Sequence, residues 1–148
     1  MYKKRLWFKL VITLHQAHFK SIHVMRPVYH DDNIYKNCSE QLTYTIRNQL
    51  QAPTFEYSLQ IPFCHEPFIR IMERAVNMSA HFKFTATFFP ESSYFIEAIN
   101  GVQGYYMVNE TYWEFLKAPN IDISLGVSSF YPNDGDHVLF NFTSDQEV

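Results

Sequence analysis

Apolar and polar residues alternate with a period of two over residues 41–47, where Leu42, Tyr44 and Ile46 interleave with Gln41, Thr43, Thr45 and Arg47. This is the pattern of a half-buried strand with one polar face. A turn around Gln51, Ala52 and Pro53 separates it from a second such run, Phe55, Tyr57, Leu59 and Ile61 against Glu56, Ser58 and Gln60, and the two read as a hairpin. From Glu66 the period changes: Phe68, Ile71, Met72, Ala75 and Val76 recur at helical spacing, with Pro67 suited to the first turn. Arg70, Glu73, Arg74 and Asn77 then take the outer face. Strands resume with Phe82, Phe84, Ala86 and Phe88 set against Lys83, Thr85 and Thr87, a turn follows at 90–93, and 94–100 runs back. After a loop at 101–109 come a strand at 112–116 and a final hairpin marked by Pro132-Asn133-Asp134-Gly135, closed by Val138, Phe140 and Phe142. The predicted order is ββα followed by four or five strands, an α+β domain of mostly antiparallel β-sheet with one packed α-helix. Residues 38–148 hold that domain, and 1–37 read as a leader or irregular N-terminal segment.

Composition agrees with one globular domain. The chain has 148 residues, 47% of them hydrophobic, and only 4 glycines, which argues against a fibrous or disordered class. With a formal charge of −3 there is no basic field to recruit nucleic acid; the one basic cluster, Lys3-Lys4-Arg5, lies at the N-terminus. That cluster and the apolar residues 6–14 resemble the start of a secretory leader, although Lys9 interrupts the core and no small-x-small site follows. The apolar run is too short to span a bilayer, so no membrane span is expected. Four Asn-x-Ser/Thr triplets, at Asn37, Asn77, Asn109 and Asn141, tilt the reading toward a secreted, extracellular glycoprotein.

The cysteines tilt the same way. In a hairpin folded about Gln51, with Gln41 opposite Ile61, Cys38 falls opposite Cys64, and opposed strand residues approach within disulfide range. The rival reading is a metal pair from Cys64 and His65. A second imagined metal site, His30-Asp31-Asp32, reads more simply as a solvated loop, since spacing supplies no second pair of ligands. No metal is therefore expected. No Ser/His/Asp or Cys/His set has motif spacing and no phosphate-binding glycine loop appears, so no catalytic residue is named and the chain reads as a binder, not an enzyme.

The stretch 92–117, SSYFIEAINGVQGYYMVNETYWEFLK, is dense in aromatic residues that suit either a buried sheet or a ligand-facing wall. With the strands laid out, the sequence resembles the C-terminal β-domain of the transcobalamin, intrinsic factor and haptocorrin family of vitamin B12 carriers. The resemblance rests on Leu42-Thr43-Tyr44-Thr45-Ile46-Arg47-Asn48-Gln49-Leu50 and on the helix leading into Phe82-Lys83-Phe84. It continues through Ala98-Ile99-Asn100-Gly101, Thr111-Tyr112-Trp113-Glu114-Phe115-Leu116, and the tail from Gly126-Val127 to Asn141-Phe142-Thr143, covering about residues 41–143. It implies a ligand site for cobalamin or a related corrinoid at Ser92, Ser93, Tyr94, Phe95 and Ile96, and at Trp113, Glu114, Phe115, Leu116 and Lys117. Glu114 stands where carriers of this family often have glutamine.

In that family a helical domain supplies much of the corrin contact, and the residues before 38 are too few to form one. Tight binding would then need a homodimer or a helical partner domain in another chain. Two functions follow: a secreted cobalamin-binding transport protein using a single β-domain, or a secreted interaction module that kept the fold without the vitamin. Trp113 separates them, because a ligand wall leaves it partly exposed and a core position buries it. Neighbours on a strand point oppositely, so one of Tyr112 and Trp113 is expected to face in.

Overall fold

The computed structural model describes residues 22–24, 38–90 and 93–146. The elements are β1 (Ile22–Val24), β2 (Glu40–Asn48), β3 (Phe55–Phe63), α1 (Phe68–Met78), β4 (Phe84–Phe89), β5 (Ser93–Ile99), β6 (Val102–Gln103), β7 (Thr111–Lys117), β8 (Ile121–Asp122) and β9 (His137–Ser144). After α1 come four longer strands and two two-residue ones, where the patterning predicts four or five, and β1 falls within the segment read as a leader or irregular. The strands form two sheets, ordered β1-β4-β5-β6 and β3-β2-β9-β7-β8. All pairings are antiparallel except β2 with β9, which is parallel.

The period-two reading of β2 and β3 holds, with Leu42, Tyr44, Ile46, Ile61 and Phe63 all buried. The register differs by one residue from the expected one: Leu42, not Gln41, lies opposite Ile61. The Cys38–Cys64 disulfide forms all the same, with Cα atoms 5.3 Å apart. The ladder ends at Phe63 and His65 turns with φ 29°, so Cys64 is released from the strand register and can reach across to Cys38. Cys64 is thereby unavailable to a metal. At the other end of the hairpin, Asn48 is fully buried and organises the loop. Its Nδ2 donates to the carbonyl oxygens of Gln51 at 2.9 Å and Pro53 at 2.7 Å, and its Oδ1 accepts from Leu50 N–H at 3.2 Å.

The helix carries the expected apolar stripe, but Glu73 and Arg74 are buried instead of lying on an outer face. A buried charge is tolerated only when paired. Arg74 meets Glu66 through Nη2 and donates through Nη1 to the Pro62 carbonyl oxygen, while Glu73 accepts from Arg70 at 2.9 Å. Pro67 offers no side-chain cap, and the first helical N–H groups go elsewhere: Phe68 donates to Phe130 O at 2.9 Å and Ile69 to Val127 O at 3.0 Å. Unsatisfied N–H groups at a helix start need partners, and here a distant loop supplies them.

That use of residues 126–130 removes the expected final hairpin. They cap the helix, so no strand precedes the 132–135 turn to pair with β9. Instead Gly135 N–H donates to Gln41 O at 2.7 Å, Gln41 N–H donates to Asp134 Oδ1 at 2.8 Å, and β9 enters the centre of its sheet between β2 and β7. Gly135 takes φ +78°, the left-handed region that glycine enters at little steric cost. Phe82, expected to open a strand, lies in a short 3-10 turn, Ala80–Phe82, and is still buried.

One core gathers α1 and the facing sides of both sheets. At its centre is Tyr44, with Phe68, Phe82 and Phe140 edge-on at centroid distances of 5.1, 5.0 and 6.3 Å. Edge-to-face arrangement is what the ring quadrupole favours.

Candidate functional site

The two segments singled out by the sequence lie on different sheets, β5 in the smaller and β7 in the larger. They are joined through β6: Trp113 Nε1–H donates to the carbonyl oxygen of Val102 at 2.9 Å. Trp113 is only 5% exposed and packs between Phe55 and Phe142. Of the two positions open to it in the sequence, the core position is the one it occupies. Tyr112 is also buried, on the opposite face, where Tyr106 from the helical turn Tyr106–Asn109 and the Asp145 carboxylate cover it. Trp113 is thus the one of the pair that faces the core, and the opposite face of β7 is covered at this point as well.

The block Trp113, Glu114, Phe115, Leu116 and Lys117 divides between the two faces of β7, as strand geometry requires. Phe115 is half-buried, stacked on Phe140 at 4.8 Å and edge-on to Phe130 at 5.5 Å. Leu116 is buried, Glu114 is half-buried, and Lys117 forms an ion pair with Asp136 at 2.6 Å. On β5, Ile96 is buried in the core, and Tyr94 and Phe95 are half-buried. Ser92 lies outside the described residues.

Ser93 opens β5 at φ 84°, an uncommon conformation for a residue with a Cβ, and its Oγ accepts from Ser128 N–H at 3.3 Å. Through Ser128 the start of β5 touches the same loop that caps α1. Glu97 is the extra residue of a bulge, because Thr85 pairs with Ala98 and Ala86 with Ile96; its carboxylate accepts from Thr87 Oγ1–H at 2.8 Å.

Phe88, which patterning placed as one more core residue of β4, is 41% exposed and meets Tyr94 at 5.1 Å. It extends the apolar face of the sheet past the point where the rest of the molecule covers it. Ile121 and Leu125, in the segment after β7, are also exposed, at 60% and 52%. Strand periodicity could not distinguish Phe88 from Phe84 and Ala86, since all three share a face and only the ending of the opposite layer separates them.

Among the titratable groups, burial pushes the Tyr44 phenol well above the ordinary tyrosine range. Tyr112 is raised by burial, then by its bond to Asp145 and the charge of that carboxylate. Among the described residues no three His, Cys, Asp or Glu side chains form a group able to hold a metal, and His30, Asp31 and Asp32 lie outside them. Of the glycan acceptors, Asn77 is exposed at the end of α1, whereas Asn141 is half-buried in the central strand β9. Asn109 is half-buried, its Oδ1 accepting from Thr111 Oγ1–H at 2.7 Å, and Asn37 is not among the described residues. Among the described residues no helix is long and apolar enough to cross a membrane.

No family model matches the chain, and no curated protein matches it. Among solved structures it is similar to haptocorrin in complex with Cbi, with 22% identity over 71% of this chain and a TM-score of 0.59. The likeness is one of fold. The chain spans about a quarter of the length of that haptocorrin chain, 25%. It is also similar to a protein from Ruminococcus gnavus described as a candidate metal-binding protein, at 12% identity and a TM-score of 0.56, covering 72% of this chain and 99% of that one. About seven-tenths of this chain thus shares a fold with part of that haptocorrin.

Proposed function

We propose that the chain is an extracellular, non-enzymatic binder of cobalamin or a related corrinoid and acts in its transport. The observation that carries this reading is the shared fold with a quarter of haptocorrin, a protein solved in complex with Cbi. The residues it favours are the half-buried Tyr94 of β5 with the exposed Phe88 of β4, and the half-buried Phe115 and Lys117, which share one face of β7. A corrin is a broad, partly apolar disc rimmed with amides, and half-exposed rings beside charged and hydroxyl groups suit it. The disulfide and the four sequons support an extracellular setting. A homodimer or a helical domain on another chain would cover the face of the disc that one β-domain leaves open.

A second reading, a secreted interaction module that no longer binds the vitamin, is favoured by one observation. Trp113 is committed to the core and to Val102, so its ring forms no ligand wall. Titration of the secreted protein with cobalamin, followed by corrin absorbance, decides between them. Saturable micromolar or tighter binding, weakened by Tyr94→Ala and unchanged by Lys83→Ala, supports the carrier. A folded protein that takes up no cobalamin well above micromolar concentration leaves the interaction module.

A further inference from the structure

The helical turn Tyr106–Asn109 presents apolar side chains to solvent just before β7. Val108 is 81% exposed, Met107 69% and the adjoining Tyr105 56%. A lone exposed apolar residue is ordinary, but three within one short stretch form a patch. The patch is also held in place. Inside the turn, Asn109 N–H donates to Tyr105 O and Glu110 N–H to Tyr106 O, each at 3.0 Å. The Tyr106 hydroxyl donates to Asp145 Oδ2 at 3.1 Å, Tyr105 N–H to Thr111 Oγ1 at 3.0 Å, and the Ser144 hydroxyl to Asn109 O at 3.1 Å. A Cβ on Gly104 would meet Thr111 O at 3.0 Å, so glycine lets the chain press against β7 here. Apolar groups fixed in this way lose little freedom on docking.

A second loop leaves the same end of the five-stranded sheet. Asn48, the last residue of β2, lies opposite Phe142, and Phe142 opposite Trp113 near the start of β7. The 49–54 loop, with Leu50 49% exposed, therefore emerges two strand spacings from β7, about 10 Å. Charge at the turn has one sign. Glu110 is exposed beside Val108, and Asp145 accepts from Tyr106 and Tyr112; among the described residues neither carboxylate forms an ion pair. Tyrosine and methionine inside a polar rim without lysine make up the composition of a protein–protein interface. A second copy would set carboxylate against carboxylate, and an anionic lipid surface would be repelled in the same way.

We propose that Tyr105, Met107 and Val108, edged by Glu110 and Asp145, are the docking surface for a basic amphipathic segment of another protein. Its apolar side chains cover the turn and reach toward Leu50, and its lysine or arginine side chains pair with the two carboxylates. The surface does not rest on the corrinoid reading, whose Lys117 lies at the other end of β7.

The probe is a synthetic amphipathic helix of leucine and lysine, labelled for fluorescence anisotropy and titrated with the full chain carrying its disulfide and no glycan. Saturable binding is expected, weakened several-fold by Val108→Ser and by Glu110→Gln. It is expected to be unchanged by Leu125→Ser, at an exposed apolar residue beyond β8. A helix of leucine and glutamate is expected to bind several-fold more weakly. All three substitutions fall at exposed positions, and far-ultraviolet circular dichroism checks that each variant is folded. Absence of saturable binding, equal affinity for the two helices, or affinity that Val108→Ser and Glu110→Gln leave unchanged overturns the inference. So does dimerisation, or uptake onto phosphatidylcholine vesicles, that Val108→Ser abolishes, since either gives the surface a different occupant.

Discussion

The indole N–H of Trp113, on the five-stranded sheet, donates to the backbone carbonyl oxygen of Val102, on the four-stranded sheet, at 2.9 Å. This buried bond ties the two sheets together where β5, β6 and β7 adjoin. Replacing the donor leaves a buried carbonyl oxygen without its partner, which costs about 1–3 kcal/mol. Trp113→Phe is therefore expected to lower the unfolding free energy by that amount, and Trp113→Ala by about 3–5 kcal/mol through the added cavity. Urea unfolding of both variants, read as a midpoint shift at constant slope, checks this. A Trp113→Phe midpoint equal to that of the wild type would show that the bond does not join the sheets.

Tyr44 makes the opposite case. Its ring is fully buried, yet its hydroxyl oxygen has no hydrogen-bond partner among the described residues. Removing an unsatisfied buried hydroxyl removes its desolvation penalty, so Tyr44→Phe is expected to leave stability unchanged or raise it by up to about 1 kcal/mol. A loss of more than about 1 kcal/mol in thermal or urea unfolding would mean that the hydroxyl has a partner in solution.

Alkaline pH should act through Tyr44 and Tyr112. Both phenols titrate above their unfolded value in the native state, Tyr44 through burial and Tyr112 through burial and the Asp145 carboxylate. The native state then holds protons that the unfolded chain releases near pH 10. Their stabilisation is complete below that pH and is lost as pH climbs toward the folded values. Unfolding free energy is expected to stay level on this account up to about pH 9 and to fall above about pH 10. The fall should be shallower in Tyr44→Phe and in Tyr112→Phe. An identical slope in all three proteins would assign the alkaline transition to other groups.

The disulfide closes a loop of sequence separation 26. On the chain-entropy model that contributes about 3.5 kcal/mol, and less where the hairpin persists in the unfolded chain. The double variant Cys38→Ser, Cys64→Ser is expected to melt several degrees lower than the wild type while keeping its far-ultraviolet circular dichroism. Retained stability in that variant would place the cross-link in a region that is already ordered when the rest unfolds.

Local patterning determined the elements. Alternation at Leu42, Tyr44 and Ile46 and helical spacing at Phe68, Ile71 and Met72 set the ββα start, because each local period exposes or buries a whole face at once. The cysteine pairing was also legible, since Cys38 and Cys64 flank one hairpin. What patterning could not reach was decided by distant chain. Residues 126–130 cap α1 instead of forming a strand because the first N–H groups of the helix need acceptors. β9 therefore enters beside β2, in parallel, and the expected final hairpin is lost. Arg74 is buried because Glu66 and the Pro62 carbonyl lie where its guanidinium arrives, and no helical period reports that. The candidate site divides in the same way. Its aromatic residues were visible in the sequence, but whether each ring faces core or solvent depended on where the opposing layer ends. The packing of two sheets around one helix covers Trp113, the Tyr106 turn and Asp145 cover Tyr112 from the other face, and Phe88 is left exposed.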